Sequence, residues 1–465
     1  MILLKIVMTF RSFIDYPCGI RYMFDALKLQ SSCGRKMLLD SYMMRSISEV
    51  EKSYIELREV YEELILKDNS ILLNKMHCLR DISGTILRLK EGAIIDDIEL
   101  FEIKYLSILS EDVRNILSKA LLKSIVLPVL EDVVNILDPD GLKISSFYVY
   151  DVYSAELREV RRKIKVINTT LEVNLNEQDI TLQEQLQELT QRMLEIEIDV
   201  RRELSGKLRG YVVMLDSALK GLAKLDILFA KGLQIKEMGL CFPSVSMDCK
   251  TSYKGLFHPQ IKDVLEKQGK FFTPINIEFA LEPVTIIGAN MGGKTVVLKM
   301  AALSQLLFQF GFGIPAQNAC VDIKNSVLLC IGDEQNELSG LSSFAAEVKA
   351  IDNVLCCVKR GERILALIDE PARTTNPVEG TALVSALLKV LYKKEVSVLL
   401  TTHYNIGGDF YKRFRVRGFI NNVMDYRLVE ALSGEIPHEA VGIAESLGAD
   451  MEWMGETKKI LIKLI

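Results

Sequence analysis

The sequence predicts an α plus α/β protein. A helical N-terminal region, residues 1–238, carries a long antiparallel helical hairpin at about 154–208, and an α/β domain, residues 239–465, follows it. Three observations predict this. From about Asp15 to Leu233 one helix-period apolar stripe follows another, with glycine sparse. Beyond Gly239, Pro, Gly and β-branched runs alternate with helical patterns. Within that second region, Gly288 to Thr295 reads G-A-N-M-G-G-K-T, the spacing G-x-x-x-x-G-K-[ST] of a phosphate-binding loop.

Length and composition bound the rest. A chain of 465 residues is too long for one ordinary core and predicts two or three domains, and 49% hydrophobic with 26% charged residues suits packed cores with a water-facing surface. The net charge of −5 provides no global positive field for nucleic acid or anionic lipid, although a local patch would suffice. The nine cysteines form no C-x-x-C pair, and the four histidines form no ligand cluster. That pattern predicts reduced thiols in a cytoplasmic protein. Met1 to Phe10 is apolar but has neither the basic flank of a signal peptide nor the length of a span, and Met8 is an alternative start. No membrane partner is expected.

In the first region Gly34 and Gly84 mark breaks, and Asp138-Pro139-Asp140-Gly141 marks a turn, with Ile144 to Tyr150 extended after it. Two long stripes then run in steps of three and four. The first is Leu157, Val160, Ile164, Ile167 and Leu171; the second is Leu182, Leu186, Leu189, Met193, Ile196, Val200, Leu204 and Leu208. The short connector around Asn174–Glu177 predicts a hairpin, either a projecting arm or an ordinary bundle pair. Basic residues on it, Arg158, Arg161, Arg162, Lys163, Lys165, Arg201 and Arg202, would serve an arm that grips DNA, but they interleave with Glu156, Glu159, Glu195 and Glu197, a pattern that fits a solvated helix face better.

In the second region Val284–Ile287 reads as a buried strand and Val296–Phe310 as a helix, so the glycine loop sits between strand and helix. Glycines let successive N–H groups turn toward a phosphate, and the helix N-terminus adds partial positive charge. Gly288, Ala289, Asn290, Met291, Gly292, Gly293, Lys294 and Thr295 form the candidate nucleotide-binding set; Lys294 would neutralise phosphate and the Thr295 hydroxyl would hold Mg²⁺. Arg363–Glu370, R-I-L-A-L-I-D-E, is an apolar strand ending in two carboxylates. Asp369 is the candidate Mg²⁺ residue and Glu370 the candidate base for water. Val396–His403 is another buried strand, ending in His403, a candidate γ-phosphate contact that alone also fits a satisfied strand-end histidine.

The glycine loop, Asp369-Glu370 and Thr401-Thr402-His403-Tyr404, in this order, resemble the MutS ATPases of the ABC-type superfamily. Ser339–Phe344 with Glu347 resembles the family's signature segment, Phe257-His258-Pro259 the start of its ATPase domain, and Gly434–Gly448 its C-terminal helical tail. The helical half resembles, more loosely, the family's core and lever helices. The resemblance implies ATP and Mg²⁺ as cofactors and a homodimer, or a pair with a related subunit, in which Ser342 and Ser343 of one chain face the nucleotide of the other. It places Phe272 as a candidate for stacking on adenine. Ser342-Ser343-Phe344 fits a helix N-cap with a core aromatic as well.

The chain departs from the mismatch-repair members. The lever-like helical pattern begins almost at once, so no Phe-x-Glu wedge domain is expected before it, and the Gly/Ser/Thr-rich turn after the acidic pair is replaced by Pro371-Ala372-Arg373-Thr374-Thr375-Asn376-Pro377. Asn376, Pro377 and Glu379 fit N-cap, N1 and N3 of the next helix. The short architecture, this turn and Met424-Asp425-Tyr426 look most like a MutS-type subgroup linked to reactivation of an adenosylcobalamin-dependent lysine aminomutase. A protein client is therefore expected, with a DNA-binding repair or recombination ATPase as the alternative.

Overall fold

The computed structural model describes residues 8–67, 70–120, 122–142, 144, 146–173, 180–288, 293–331, 343–373, 375–404, 406–408, 410–420, 423–431, 441, 444 and 448–464. In chain order the helices are α1 (Phe10–Phe13), α2 (Ile20–Asp25), α3 (Ser32–Leu39), α4 (Ile47–Val60), α5 (Ser70–His77), α6 (Ser83–Lys90), α7 (Asp97–Lys119), α8 (Glu131–Leu137), α9 (Ala155–Val173), α10 (Ile180–Arg209), α11 (Val212–Met238), α12 (Pro259–Lys267), α13 (Lys294–Gln309), α14 (Ser343–Lys359), α15 (Pro377–Tyr392) and α16 (Met451–Leu464). The strands are β1 (Ser244–Val245), β2 (Thr251–Leu256), β3 (Ile275–Phe279), β4 (Pro283–Ile287), β5 (Asn318–Val321), β6 (Ser326–Cys330), β7 (Ile364–Ile368), β8 (Ser397–Thr401), β9 (Lys412–Ile420) and β10 (Val423–Glu430). Among the described residues no helix is long and apolar enough to cross a membrane.

Compactness divides the chain into two interleaved units. One comprises Met1–Lys28, Asp40–Arg58 and Lys231–Ile465; the other comprises Leu29–Leu39 and Glu59–Ala230. The composition shift at Gly239 coincides with the end of α11, where Gly239 takes φ +65°, a conformation glycine adopts without steric cost. The compact division instead falls within α11 and returns two N-terminal segments to the α/β unit.

The helical unit is anchored by α7. Asp96 caps it by accepting from the Glu99 amide at 2.9 Å while the Glu99 carboxylate accepts from the Asp96 amide at 3.0 Å, a reciprocal capping box. On the buried face of α7, Lys104 forms an ion pair with Asp138 at 2.9 Å and donates to the Tyr150 hydroxyl at 3.1 Å. Both charges are almost fully buried, so neither tolerates loss of the other. In α9 and α10 the two apolar stripes hold: Leu157, Val160, Ile196, Val200, Leu204 and Leu208 are buried, while Leu182, Leu186 and Leu189 are half-buried. The connector 174–179 lies outside the described residues. Several basic residues here have acidic partners: Arg161 pairs with Glu197 at 2.8 Å and with Asp151, Arg162 with Glu159 at 2.8 Å, Arg201 with Asp97 at 2.7 Å, and Arg202 with Asp199.

The α/β unit contains two sheets, ordered β1-β5-β2-β3 and β10-β9-β4-β8-β7-β6. In the larger sheet β9, β4, β8, β7 and β6 are mutually parallel and β10 closes the edge antiparallel to β9. Its strands β4, β7 and β8 are buried almost throughout, which is why they read as continuous apolar runs. Helix α13 is buried from Val297 to Gln309 except at Lys299, which is half-buried. The N-terminal segments complete its surroundings: the Phe10 ring lies 5.0 Å from Phe310 and 5.5 Å from Phe312, and the Tyr54 hydroxyl donates to the carbonyls of Phe308 and Phe312 at 3.1 and 2.8 Å.

Lys231, 5% exposed, donates to the Phe310 carbonyl at 2.6 Å and sits 4.3 Å from the centre of the Phe312 ring. Burial pushes its ammonium down to about 7. The native state then binds fewer protons than the unfolded chain between about pH 7 and the ordinary lysine value, so Lys231 makes stability rise with pH across that window and fall toward pH 7. Urea midpoints from pH 7 to 9 are expected to climb more steeply in the parent than in Lys231→Met; equal slopes would remove this titration from the account.

Candidate functional site

The carboxyl ends of β4, β7 and β8 converge, the position where open parallel sheets bind ligands. The glycine loop leaves β4 and delivers α13. Residues 289–292, hence Ala289, Asn290, Met291 and Gly292, lie outside the described residues, but both ends of the loop are defined. Gly293 takes φ +77° as N-cap of α13, and a Cβ there would stand 3.3 Å from Cδ1 of Tyr426.

Four of the expected side chains come together. Lys294, 4% exposed, donates from Nζ to the Gly288 carbonyl at 2.7 Å and pairs with Glu370 at 3.0 Å. The Thr295 hydroxyl donates to Asp369 Oδ2 at 2.8 Å. Thr401, at the end of β8, donates its hydroxyl to Asp369 Oδ1 at 2.6 Å and accepts from the Glu370 amide at 2.9 Å. One threonine therefore fixes both the carboxylate of Asp369 and the backbone of Glu370. Arg373 approaches Glu370 at 3.5 Å from the exposed side.

The turn after the acidic pair is strained. Glu370 has φ +40° and Ala372 φ +61°, each in the left-handed region at a cost of about 1–3 kcal/mol. Three contacts hold it: the Ala372 amide donates to Glu347 Oε2 at 3.1 Å, and the Ala372 carbonyl accepts from the Tyr404 hydroxyl at 2.7 Å and from the Thr375 amide at 3.1 Å. Burial raises the carboxyl of Glu347 above its ordinary value. Asn376 caps α15 by accepting from the Val378 amide at 2.9 Å, with Pro377 in the first turn, as its sequence predicts.

Other expected residues stand apart. His403 is exposed, its ring 4.2 Å from that of Tyr404, and among the described residues it makes no hydrogen bond to Lys294, Thr295, Asp369 or Glu370. Phe272 is half-buried in the coil before β3. Ser342 lies outside the described residues, and Ser343 is the first residue of α14. Sequence reasoning gave no role to Thr401, Tyr404 or Tyr426. The available signals were a hydroxyl ending an otherwise apolar strand, and a tyrosine on an edge strand. The pairing of β9 with β10 shifts register between Asp425 and Leu428, and this irregularity accompanies the placement of Tyr426 against Gly293.

A lysine and threonine opening α13 thus face two acids at the end of β7, a parallel strand of the same sheet separated from β4 by β8. Residues 284–414 match the family model for MutS domain V. The chain is 34% identical over 209 residues to Endonuclease MutS2 of Caldicellulosiruptor bescii, covering 44% of this chain and 25% of that protein. Endonuclease MutS2 of Finegoldia magna is 30% identical over 285 residues, 58% of this chain and 35% of the relative. That of Streptococcus mutans is 26% identical over 384 residues, 79% of this chain and 46% of the relative. These matches support membership of the MutS family. The matched stretches span between a quarter and a half of the relatives' own length.

Proposed function

We propose that this chain is a MutS-type ATPase that binds ATP with Mg²⁺ at the β4–α13 loop, pairs with a second subunit across that site, and passes the nucleotide state to its helices, which act on DNA. The observation that carries the ATPase reading is the cluster of Lys294, Thr295, Asp369, Thr401 and Glu370 within hydrogen-bonding reach of one another. The donor set fits the nucleotide. Lys294 and the backbone at 288–293 would hold phosphate oxygens, and Thr295 and Asp369 would hold the metal. ATP supplies the phosphoryl group, and Mg²⁺ neutralises its charge. To bind phosphate, Lys294 exchanges its contact with Glu370, which frees that carboxylate to take a proton from water. Ser342 and Ser343 of the partner subunit would complete the site.

DNA is favoured as the client because the relatives are named endonucleases, a nucleic-acid activity. The aminomutase client expected from the turn and from Met424–Tyr426 finds no support in these relatives. One observation keeps a protein client as the second reading: the net charge is −5, and Arg161, Arg162, Arg201 and Arg202 are engaged by acids. Salt separates the two. Branched duplex DNA is expected to bind weakly near 0.15 M salt and to gain about tenfold or more as salt falls toward 0.05 M, because phosphate contacts release counterions. No binding at either salt, with a protein captured by the ATP-locked form, would reverse the ranking.

A further inference from the structure

We propose that Ala372 is a coupling clamp: Glu347 and Tyr404 hold its two peptide groups so that the catalytic position of Glu370 depends on where α14 sits. The proposal rests on the nucleotide-site reading above and names a regulation of that same site.

Glu370 and Ala372 flank Pro371, and both have positive φ. A turn with two such residues relaxes unless neighbours fix it. The fixing groups come from two different elements. Glu347 lies one turn into α14, the helix that begins at Ser343. Tyr404 follows β8 and is 7% exposed. Its hydroxyl lies where a Cβ at Gly380 would approach to 2.2 Å, so only glycine on α15 leaves room for it. Thr401, three residues before Tyr404, holds the Glu370 amide at 2.9 Å. The backbone from Glu370 to Ala372 is thus tied at one end to Thr401 of β8 and at the other to Tyr404, just beyond β8, and to Glu347 of α14. Of these ties, Glu347 is the one on the helix whose first residue is expected at the subunit interface. A shift of α14 breaks the Glu347–Ala372 bond, relaxes the turn and moves the Glu370 carboxylate away from its place at the end of β7, while the loop that binds phosphate is untouched.

The experiment measures nucleotide Kd and ATP turnover on the full chain for Glu347→Ala, Glu347→Gln, Tyr404→Phe and, in parallel, Lys294→Ala. Glu347→Ala and Tyr404→Phe are expected to lose about tenfold or more in kcat while nucleotide Kd stays within about twofold, the signature of a lost positioning contact. Glu347→Gln keeps an acceptor oxygen for the Ala372 amide and is expected to restore most of the rate lost in Glu347→Ala. Parent-like kcat in both Glu347→Ala and Tyr404→Phe overturns the clamp. So does a loss of Kd and kcat together that glutamine does not rescue. Unchanged nucleotide affinity in Lys294→Ala would mean instead that the nucleotide-site reading has failed, and the clamp falls with it.

Discussion

Glu370→Gln is expected to yield a protein that binds ATP, hydrolyses it about 10²–10⁴-fold more slowly, and accumulates as a closed dimer. Glutamine keeps the side-chain shape in a site only 12% exposed but cannot take a proton from water. The backbone at 370 remains held by Thr401, so the turn keeps its form. Lys294 retains the Gly288 carbonyl and loses only its ion-pair partner, which leaves it freer to meet phosphate. With the phosphoryl group intact, Ser342 and Ser343 of the proposed partner subunit would keep their contact and the dimer would be expected to persist. Adding Ser343→Arg forces a bulky cation into that interface and is expected to return the protein to monomers. Light scattering with ATP and Mg²⁺ reads both steps; a monomeric Glu370→Gln protein, or one hydrolysing at the parent rate, would exclude the composite site.

Lys294→Ala is expected to weaken nucleotide binding about 10- to 100-fold or more, since a hydrogen bond to a charged group contributes about 1.5–3 kcal/mol and about 1.4 kcal/mol is tenfold in affinity. The fold should survive. Although Lys294 is 4% exposed, its Nζ meets the polar Gly288 carbonyl and Glu370 carboxylate at the carboxyl end of the sheet. Circular dichroism should match the parent while binding of a fluorescent ATP analogue is lost. Undiminished affinity would remove phosphate binding from the loop.

Much of this arrangement is legible in the sequence because it is local. Val284–Ile287 announces a buried strand by β-branching, the α10 stripe reports its buried face by period, and Asn376-Pro377 announces a helix start. Lys294, Thr295, Asp369 and Glu370 are recognisable because their chemistry needs fixed spacing from a loop or a strand end. What local pattern does not encode is pairing across the chain. Thr401 looks like any strand-end hydroxyl until β8 is set beside β7. Ala372 gives no sign of a left-handed conformation, since alanine has no preference for one. The division of the chain is hidden for the same reason: α1 and α4 have ordinary helical character, and only their packing on α13 assigns them to the α/β unit.

That interleaving bears on how the protein is made. The ring of Phe10 emerges from the ribosome long before Phe310 and Phe312, against which it will lie. At translation rates of roughly 5–20 residues per second the interval is roughly 15–60 s. Throughout it, the parts of residues 8–28 and 40–58 that will lie against α13 and the residues just after it lack that partner, and closing so long a loop is entropically slow. The helical unit, whose segments are all translated by Ala230, can complete itself first; the α/β unit must wait for its last strands. Synthesis therefore imposes an order of assembly, and the nascent chain passes through a prolonged stage at which chaperones have an exposed N-terminal surface to hold.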